Sequence, residues 1–237
     1  MKFEAKNYKA LAEAYEIQFN SMPYEPERIG FPAQGRQHFE IETVNGETCF
    51  LSRLNGVILY DHPHYAYFQN SGYGKGEVPV CTSYDGLKGS GYPGGDCSKC
   101  RFNEWGSGNG KGKACRQRRI IYILREGVIY PFQLDLPVAS APSFSKYIRQ
   151  LSCSFLRPAE VVTAISLETI KNPTFSYSRA VFTMERELTE EEKEAVKPLT
   201  EKVKVYAESL VKNFSDDEDS IEDYINPDTG EFCPPLI

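Results

Sequence analysis

Four cysteines in a glycine-rich stretch constrain this chain more than any other feature of its sequence. Their spacing is Cys81-x15-Cys97-x2-Cys100-x14-Cys115. Residues 71–113 contain twelve of the 18 glycines and few aliphatic side chains. A segment of this composition buries too little apolar surface to hold one conformation, so it needs another constraint or stays flexible.

A metal ion would supply that constraint. Cys97 and Cys100 have the tight spacing that lets two thiolates reach one ion about 2.3 Å away, and Cys81 and Cys115 complete a tetrahedral set. Soft thiolates favour Zn²⁺, and an iron–sulfur cluster is the alternative. Because four protein ligands leave no open position, we predict a structural zinc. Unligated or redox-active cysteines are the other interpretation, although no βαβ pattern surrounds the C-x2-C pair.

The other cysteines give less information. Cys49 and Cys153 lie in apolar sequence contexts, which predicts buried and inert thiols for both. The chain has seven cysteines in all, an odd number that does not suit a disulfide framework.

Charge is distributed unevenly along the chain. The net charge is −6, but residues 215–237 contain eight acidic residues and no Lys or Arg. Residues 97–125 contain eight bases and one acid, a net charge of +7. A basic block among aromatics is typical of a surface that follows phosphates, and an acidic terminal run is typical of a tail for partners. The alternatives are a solvated face and a solubilising terminus.

Periodicity predicts a mainly β, α+β protein. Alternating runs at 38–42 and 48–51 flank Asn45-Gly46, a hairpin signal. Further strands are predicted at 56–60, 65–68, 119–124, 128–136, 161–167 and 175–182, with a turn at 61–64. Together they predict an antiparallel β domain, interpreted as a barrel.

Helices are predicted on both sides of the strands. Residues 4–20 have an amphipathic pattern, and a second helix begins near Ser140 with Phe144, Tyr147, Ile148 and Leu151 on one face. Thr189 and Glu192 form a capping box that begins a helix over about 190–213.

The domain boundaries follow from these patterns. We expect an N-terminal helix and lead-in at 1–35, a β domain at 36–184 with the cysteine insertion at 71–117, a C-terminal helix at 185–214 and an acidic, flexible tail at 215–237.

Several function classes lack support. The chain has no Walker loop, G-x-S-x-G or H-E-x-x-H motif, so nothing indicates an enzyme or a catalytic residue. His62 and His64 could in principle bind a metal or act as an acid–base pair, but we favour the interpretation that they belong to a turn between two strands. Without a signal peptide or a long apolar run, we expect a soluble, cytoplasmic protein and no membrane partner.

A cationic groove with aromatic faces is what single-stranded nucleic acid requires. The candidate phosphate-binding residues are Lys99, Arg101, Lys111, Lys113, Arg116, Arg118 and Arg119. The candidate stacking residues are Tyr92, Phe102 and Trp105, since aromatics in the glycine-rich segment have little core to join.

The block from Cys97 to Ser107, followed by Gly110–Cys115, resembles a widespread group of bacteriophage and prophage proteins encoded among replication and recombination genes. The likeness covers roughly residues 36–184. The chain is also similar in plan to phage single-stranded DNA-binding proteins. That similarity implies an OB-like barrel, an inserted zinc site and an acidic C-terminal tail that contacts replication or recombination proteins.

The sequence and the resemblance together predict non-sequence-specific binding of single-stranded DNA during phage replication or recombination, in the host cytoplasm. The alternative is a host-takeover or anti-defence adaptor, in which the acidic tail mimics nucleic acid and the cysteine loop docks on a bacterial protein.

Overall fold

The computed structural model describes residues 26–43, 45–69, 78–108, 110–126, 128, 130–171 and 176–216, with only the backbone for 212–216. The predicted helix at 4–20 and the acidic tail lie outside these residues, apart from the backbone of Ser215 and Asp216. No helix within them combines the length and the apolar character that crossing a bilayer requires.

The described part of the chain is mainly β with two α-helices, as predicted for the fold class. In chain order the strands are β1 (Arg28–Ile29), β2 (Phe39–Glu42), β3 (Thr48–Leu51), β4 (Arg53–Tyr67), β5 (Cys81–Ser83), β6 (Lys88–Gly91), β7 (Gly95–Asp96), β8 (Arg116–Arg125), β9 (Phe132–Pro137), β10 (Val161–Lys171) and β11 (Ser176–Glu187). The helices are α1 (Ala141–Cys153) and α2 (Glu190–Asp216), and short 3₁₀ turns occupy Arg101–Asn103, Val138–Ser140 and Pro158–Glu160.

These elements form two compact units. The first contains the described residues up to Asp61 together with Arg119–Tyr206, and the second contains His62–Arg118 and the described residues from Ala207 onward. Because β4 and β8 are long, each contributes residues to both units.

The sheet of the first unit is mixed, so the prediction of a purely antiparallel domain is wrong. Its strand order is β1-β9-β8-β4-β10-β11, with β1 parallel to β9, and β10 antiparallel to both β4 and β11. Strands β2 and β3 form a separate antiparallel pair, which confirms the hairpin predicted at Asn45-Gly46. The strands predicted at 161–167 and 175–182, now β10 and β11, also form an antiparallel pair.

The sheet is open, so the predicted closed barrel is not formed by the described residues. The edge of β11 meets the loop at Gln34–Arg36, where the Ser178 hydroxyl donates to the Arg36 carbonyl at 2.7 Å. Gln34 and Gly35 have φ angles of 58° and 75°, which an extended strand does not adopt. Serine hydroxyls that donate to backbone carbonyls therefore cover the edge of β11, whereas a closed barrel would need a backbone hydrogen-bond ladder to another strand there.

The core of the first unit follows the alternation of its strands. Ile121 and Ile123 of β8 belong to a buried cluster that includes Phe144, Tyr147 and Leu151 of α1. These three are spaced along one helical face, as predicted. Since successive strand residues point to opposite faces, α1 covers one face of β8.

Helix α2 packs against the other face. Tyr122, buried on β8, makes an edge-to-face contact with Tyr206 at 6.1 Å between ring centroids. The predicted capping box is confirmed: the Thr189 N–H donates to Glu192 at 2.9 Å, and the Glu192 N–H donates to the Thr189 hydroxyl at 3.3 Å. The buried helix residues are Val196, Leu199, Val203 and Ala207.

The turn predicted at Asp61–His64 is wrong, because the chain continues through it as the single strand β4. Pro63 lacks an N–H, but β5 pairs with β4 only from Tyr65 onward, so that ladder does not need a donor there.

The prediction that Cys49 and Cys153 are buried is also wrong, since both are exposed. Every residue of β3 except Leu51 is exposed, and Cys49 lies among them. Cys153 is the last residue of α1 and lies off the face that carries Phe144, Tyr147 and Leu151.

Candidate metal centre and nucleic-acid interface

The four cysteines of the motif line one cavity in the second unit. Cys81 begins β5, Cys97 follows β7, Cys100 precedes the turn Arg101–Asn103, and Cys115 precedes β8. The antiparallel meander β5–β6–β7 brings the chain after β7 back toward β5. The cavity they share measures ≈ 10 Å³. The structure therefore groups the residues that the spacing predicted as ligands.

Gly89 of β6 leaves the space that two of these sulfurs occupy. A Cβ at this position would lie 2.9 Å from the Cys81 Sγ and 3.7 Å from the Cys97 Sγ. The first distance is shorter than non-bonded carbon and sulfur atoms tolerate. Sequence reasoning missed Gly89, because nothing in the sequence separates it from the other glycines of the segment.

Hydrogen bonds of the backbone and of one carboxylate shape the Cys97–Cys100 knuckle. The Cys97 N–H donates to the Leu87 carbonyl at 2.8 Å. The Asp96 carboxylate accepts from the Ser98 N–H at 2.8 Å and from the Ser98 hydroxyl at 2.7 Å. These bonds lower the pKa of Asp96, and the bond from the Ser98 hydroxyl contributes the most. The Asp96 carboxylate therefore stabilises the turn at Ser98.

Burial raises the pKa of three of the four cysteine thiols. It raises the pKa of Cys115 to about 12, and repulsion from the neighbouring thiolates adds to the effect. Burial likewise raises the pKa of Cys81 and Cys97. A hydrogen bond from the Gly94 backbone opposes the rise at Cys81, and one from the Ser83 hydroxyl opposes it at Cys97. An ion bound by these sulfurs would displace their protons.

The donors fit zinc in kind, but the side chains do not form a closed ligand shell as they stand. Within the described ranges, no group of three or more Cys, His, Asp or Glu side chains is close enough to hold an ion. Four thiols from a C-x2-C knuckle and two flanking segments are nevertheless the set that structural zinc uses. Zinc binding therefore requires the four sulfurs to close on the ion.

The loop that follows the knuckle is held by its own hydrogen bonds. The Gly112 carbonyl accepts from the N–H groups of Gly106 and Gly108, both at 3.0 Å. The Ser107 hydroxyl lies 2.7 Å from the Glu104 carbonyl and accepts from the Ala114 N–H at 3.0 Å. We call the described residues of 104–114 the Trp105 loop.

The Trp105 loop presents an aromatic ring beside a cation. The Trp105 side chain is 79% exposed, and the Lys113 Nζ lies 5.3 Å from the centroid of its ring. A flat exposed ring next to an ammonium group offers one surface to a base and another to a phosphate.

The other predicted phosphate-binding residues of the second unit differ in their solvent exposure and in their contacts with other side chains. Lys111 and Arg118 are exposed. Lys99 is also exposed but forms an ion pair with Asp96 at 3.5 Å. The guanidinium of Arg116 lies 4.5 Å from the Phe68 ring centroid and is half-buried.

Phe102 and Tyr92 occupy different settings. The Phe102 ring stacks on Tyr67 with 4.0 Å between centroids, so that face is closed to a base. The exposed Arg101 guanidinium lies 4.7 Å from the Phe102 centroid. Tyr92 is 39% exposed, beside β6. Among the three predicted stacking residues, Trp105 is the most open.

Arg119 belongs to the first unit, unlike the other nine candidates. Its guanidinium forms an ion pair with Asp61 and lies 5.5 Å from the Phe144 ring centroid. Because Arg119 belongs to a different unit from the other candidates and its guanidinium is held by a carboxylate, we leave it out of the interface described below.

The two histidines of β4 form hydrogen bonds and ring contacts with neighbouring residues. His62 is buried, and its Nδ1 lies 2.9 Å from the Tyr84 carbonyl. His64 stacks on the Tyr84 ring at 4.8 Å, and its Nε2 lies 3.1 Å from the Thr82 hydroxyl. Both imidazoles therefore contact the segment 82–84.

No protein-family model, curated protein or solved structure matches the chain.

Proposed function

We propose that this protein binds single-stranded DNA without sequence preference through the cationic and aromatic side chains of its second unit. The observation that carries the proposal is the pairing of Trp105 with Lys113, because an open ring beside an ammonium group provides stacking for a base and a charge for a phosphate. Base stacking on such a ring contributes about 1–3 kcal/mol and tolerates any base.

Charge supports the same proposal. The exposed bases Lys99, Arg101, Lys111 and Arg118 lie on the same unit as Trp105, together with the half-buried Lys113 and Arg116. The acidic residues described between Gly95 and Arg118 are Asp96 and Glu104 alone. A surface with this excess of cations attracts a polyanion and releases its counterions.

Zinc is proposed as the structural element of the site. Cys81, Cys97, Cys100 and Cys115 would hold it, and when bound it cross-links the meander, the knuckle and the lead into β8. Of the residues that would contact DNA, Arg101 directly follows Cys100 in the sequence and Arg116 directly follows Cys115. The OB-like plan implied by the resemblance remains a prediction, and this proposal does not depend on a closed barrel.

The biological setting follows from the resemblance. We propose phage DNA replication or recombination as the process and the host cytoplasm as the place. The acidic tail is proposed to contact replication or recombination proteins, and also to compete with DNA for the cations.

The test uses Trp105, the single tryptophan of the chain, as an intrinsic probe. Titration with oligo-dT should quench its fluorescence. If about five phosphates are contacted, log K should fall with log salt concentration with a slope of about −3.5. Quenching that does not depend on salt would remove the electrostatic part of the proposal.

A second protein that ends at Phe214 separates the proposal from its alternative. Tighter binding of oligo-dT by the shortened chain supports DNA binding with a competing tail. No binding by either form favours the host-directed adaptor.

A further inference from the structure

The side chain of Asn103 connects the cysteine knuckle to the Trp105 loop. Its Nδ2 donates to the Cys97 carbonyl at 2.7 Å. Its Oδ1 accepts from the Lys113 ammonium at 3.1 Å and from the Gln117 amide at 2.7 Å. The backbone N–H of Asn103 also donates to the Cys100 carbonyl at 2.9 Å.

An amide of this length is needed for all three side-chain bonds. Asn has both a donor and an acceptor with two lone pairs, and here one donor and both lone pairs are used. Asp would lose the bond to the Cys97 carbonyl, and Ala would lose all three. Asn103 also lines the cavity of the four cysteines.

The bond to Lys113 matters because this half-buried side chain places its ammonium 5.3 Å from the centroid of the Trp105 ring. A lysine side chain has several rotatable bonds, so without a fixed acceptor its ammonium moves toward solvent. The Asn103 oxygen therefore sets where the Lys113 charge stands relative to the Trp105 ring.

We propose that Asn103 is a positioning residue that makes single-strand binding depend on the state of the cysteine knuckle. Closing of the sulfurs on an ion fixes the Cys97 carbonyl, the carbonyl orients the Asn103 amide, and the amide fixes Lys113 beside Trp105. This inference rests on the proposed function, since it names how the same site is regulated.

A double-mutant cycle tests whether Asn103 acts through Lys113. Affinity for oligo-dT is measured by anisotropy of a labelled oligonucleotide for the full-length wild type, Asn103→Ala, Lys113→Ala and the double variant. We expect each single variant to lose about fivefold, and the double variant to lose no more than Lys113→Ala alone. Losses that multiply would overturn the proposal.

Zinc content and Trp105 emission separate positioning from a general structural role. Asn103→Ala should retain the zinc content of the wild type. Zinc added to the metal-free wild type should shift the Trp105 emission, and the shift should be absent in Asn103→Ala. The matched control is Gln117→Ala, which removes one partner of Asn103 but keeps Lys113 and should keep the shift.

The remaining outcomes are distinguishable. Loss of zinc from Asn103→Ala would assign the residue to the metal site and overturn the positioning role. A wild type that binds zinc but not oligo-dT would contradict the proposed function, while the emission measurement would still decide the link between knuckle and loop. A wild type that binds neither overturns both.

Discussion

Gly89 lies so close to Cys81 that a Cβ on the glycine would stand 2.9 Å from the cysteine sulfur. Gly89→Ala should therefore push this sulfur out of the shared cavity. Crowding by one methyl group typically costs about 1–3 kcal/mol, so zinc affinity should fall by at least about fivefold. Competition with a chromogenic chelator measures the change. Lys88→Ala, at the exposed neighbouring position, is the control, and equal zinc affinity in both variants would contradict the proposed arrangement.

A second prediction compares a cavity cysteine with an exposed one. Cys115→Ser removes a thiolate donor from the cavity, whereas Cys153→Ser changes an exposed residue at the end of α1. Zinc content should fall from about one ion per chain to near none in the first variant and stay unchanged in the second. Metal analysis of the purified proteins measures both. Equal zinc content in the two variants would exclude Cys115 as a ligand.

The elements that could be predicted from the sequence are those with local signals. Asn45-Gly46 specifies a tight turn by itself, Thr189 and Glu192 satisfy each other across three residues, and the apolar spacing in α1 marks one face. The grouping of the four cysteines around one cavity could also be predicted, because their spacing is typical of a shared ligand set.

The rest depended on which segments meet in space. The exposure of Cys49 follows from the place of β3 outside the main sheet, and the open sheet follows from the backbone at Gln34 and Gly35. The roles of Gly89 and Asn103 depend on contacts with residues of other segments, Cys81 for the glycine and Lys113 for the amide. No periodicity reports such contacts.

A pH dependence is expected from the start of α2. The Arg186 guanidinium donates two hydrogen bonds to the Glu192 carboxylate, at 2.7 and 2.8 Å, and the Thr189 N–H donates another. The bonds from Arg186 are the largest cause that lowers the pKa of Glu192 below its ordinary value of 4.5. A lowered pKa stabilises the folded state above the unfolded value, and this stability is lost as pH falls through the folded value.

Glu192→Gln should therefore reduce the free energy of unfolding at pH 7 by about 1 kcal/mol. The difference between the variant and the wild type should begin to shrink below pH 4.5, where the unfolded chain takes up a proton, and should vanish once the pH has fallen through the lower pKa of the folded carboxylate. Urea unfolding at several pH values measures it. The neighbouring exposed Glu191→Gln is the control, and a difference that stayed constant down to acid pH would contradict the assignment.

Phe155 occupies a position that suits glycine. Its φ is 57°, its side chain is 96% exposed, and the next N–H, of Leu156, donates back to the Leu151 carbonyl at 3.0 Å. Left-handed backbone costs a residue with a Cβ about 1–2 kcal/mol. Phe155→Gly should thus raise the free energy of unfolding by about 1 kcal/mol. Phe155→Ala keeps the Cβ and should show no such gain. Urea unfolding measures both variants, and equal free energies of unfolding for the two would refute the argument.

Trp105→Ala should weaken the binding of oligo-dT by about 5- to 150-fold, because it removes the ring proposed to stack on a base. The salt dependence should stay unchanged, since no charge is lost.

Lys111→Ala should instead reduce the salt slope by about 0.7 and weaken binding less than Trp105→Ala does. Anisotropy of a labelled oligonucleotide measures all variants, as the tryptophan itself is gone. Trp105→Phe should restore most of the affinity. Phe155→Ala removes an exposed aromatic ring of the first unit and should leave the affinity for oligo-dT unchanged. If Trp105→Ala bound as tightly as the wild type, the ring would have no part in recognition, and the phosphate contacts alone would have to account for binding.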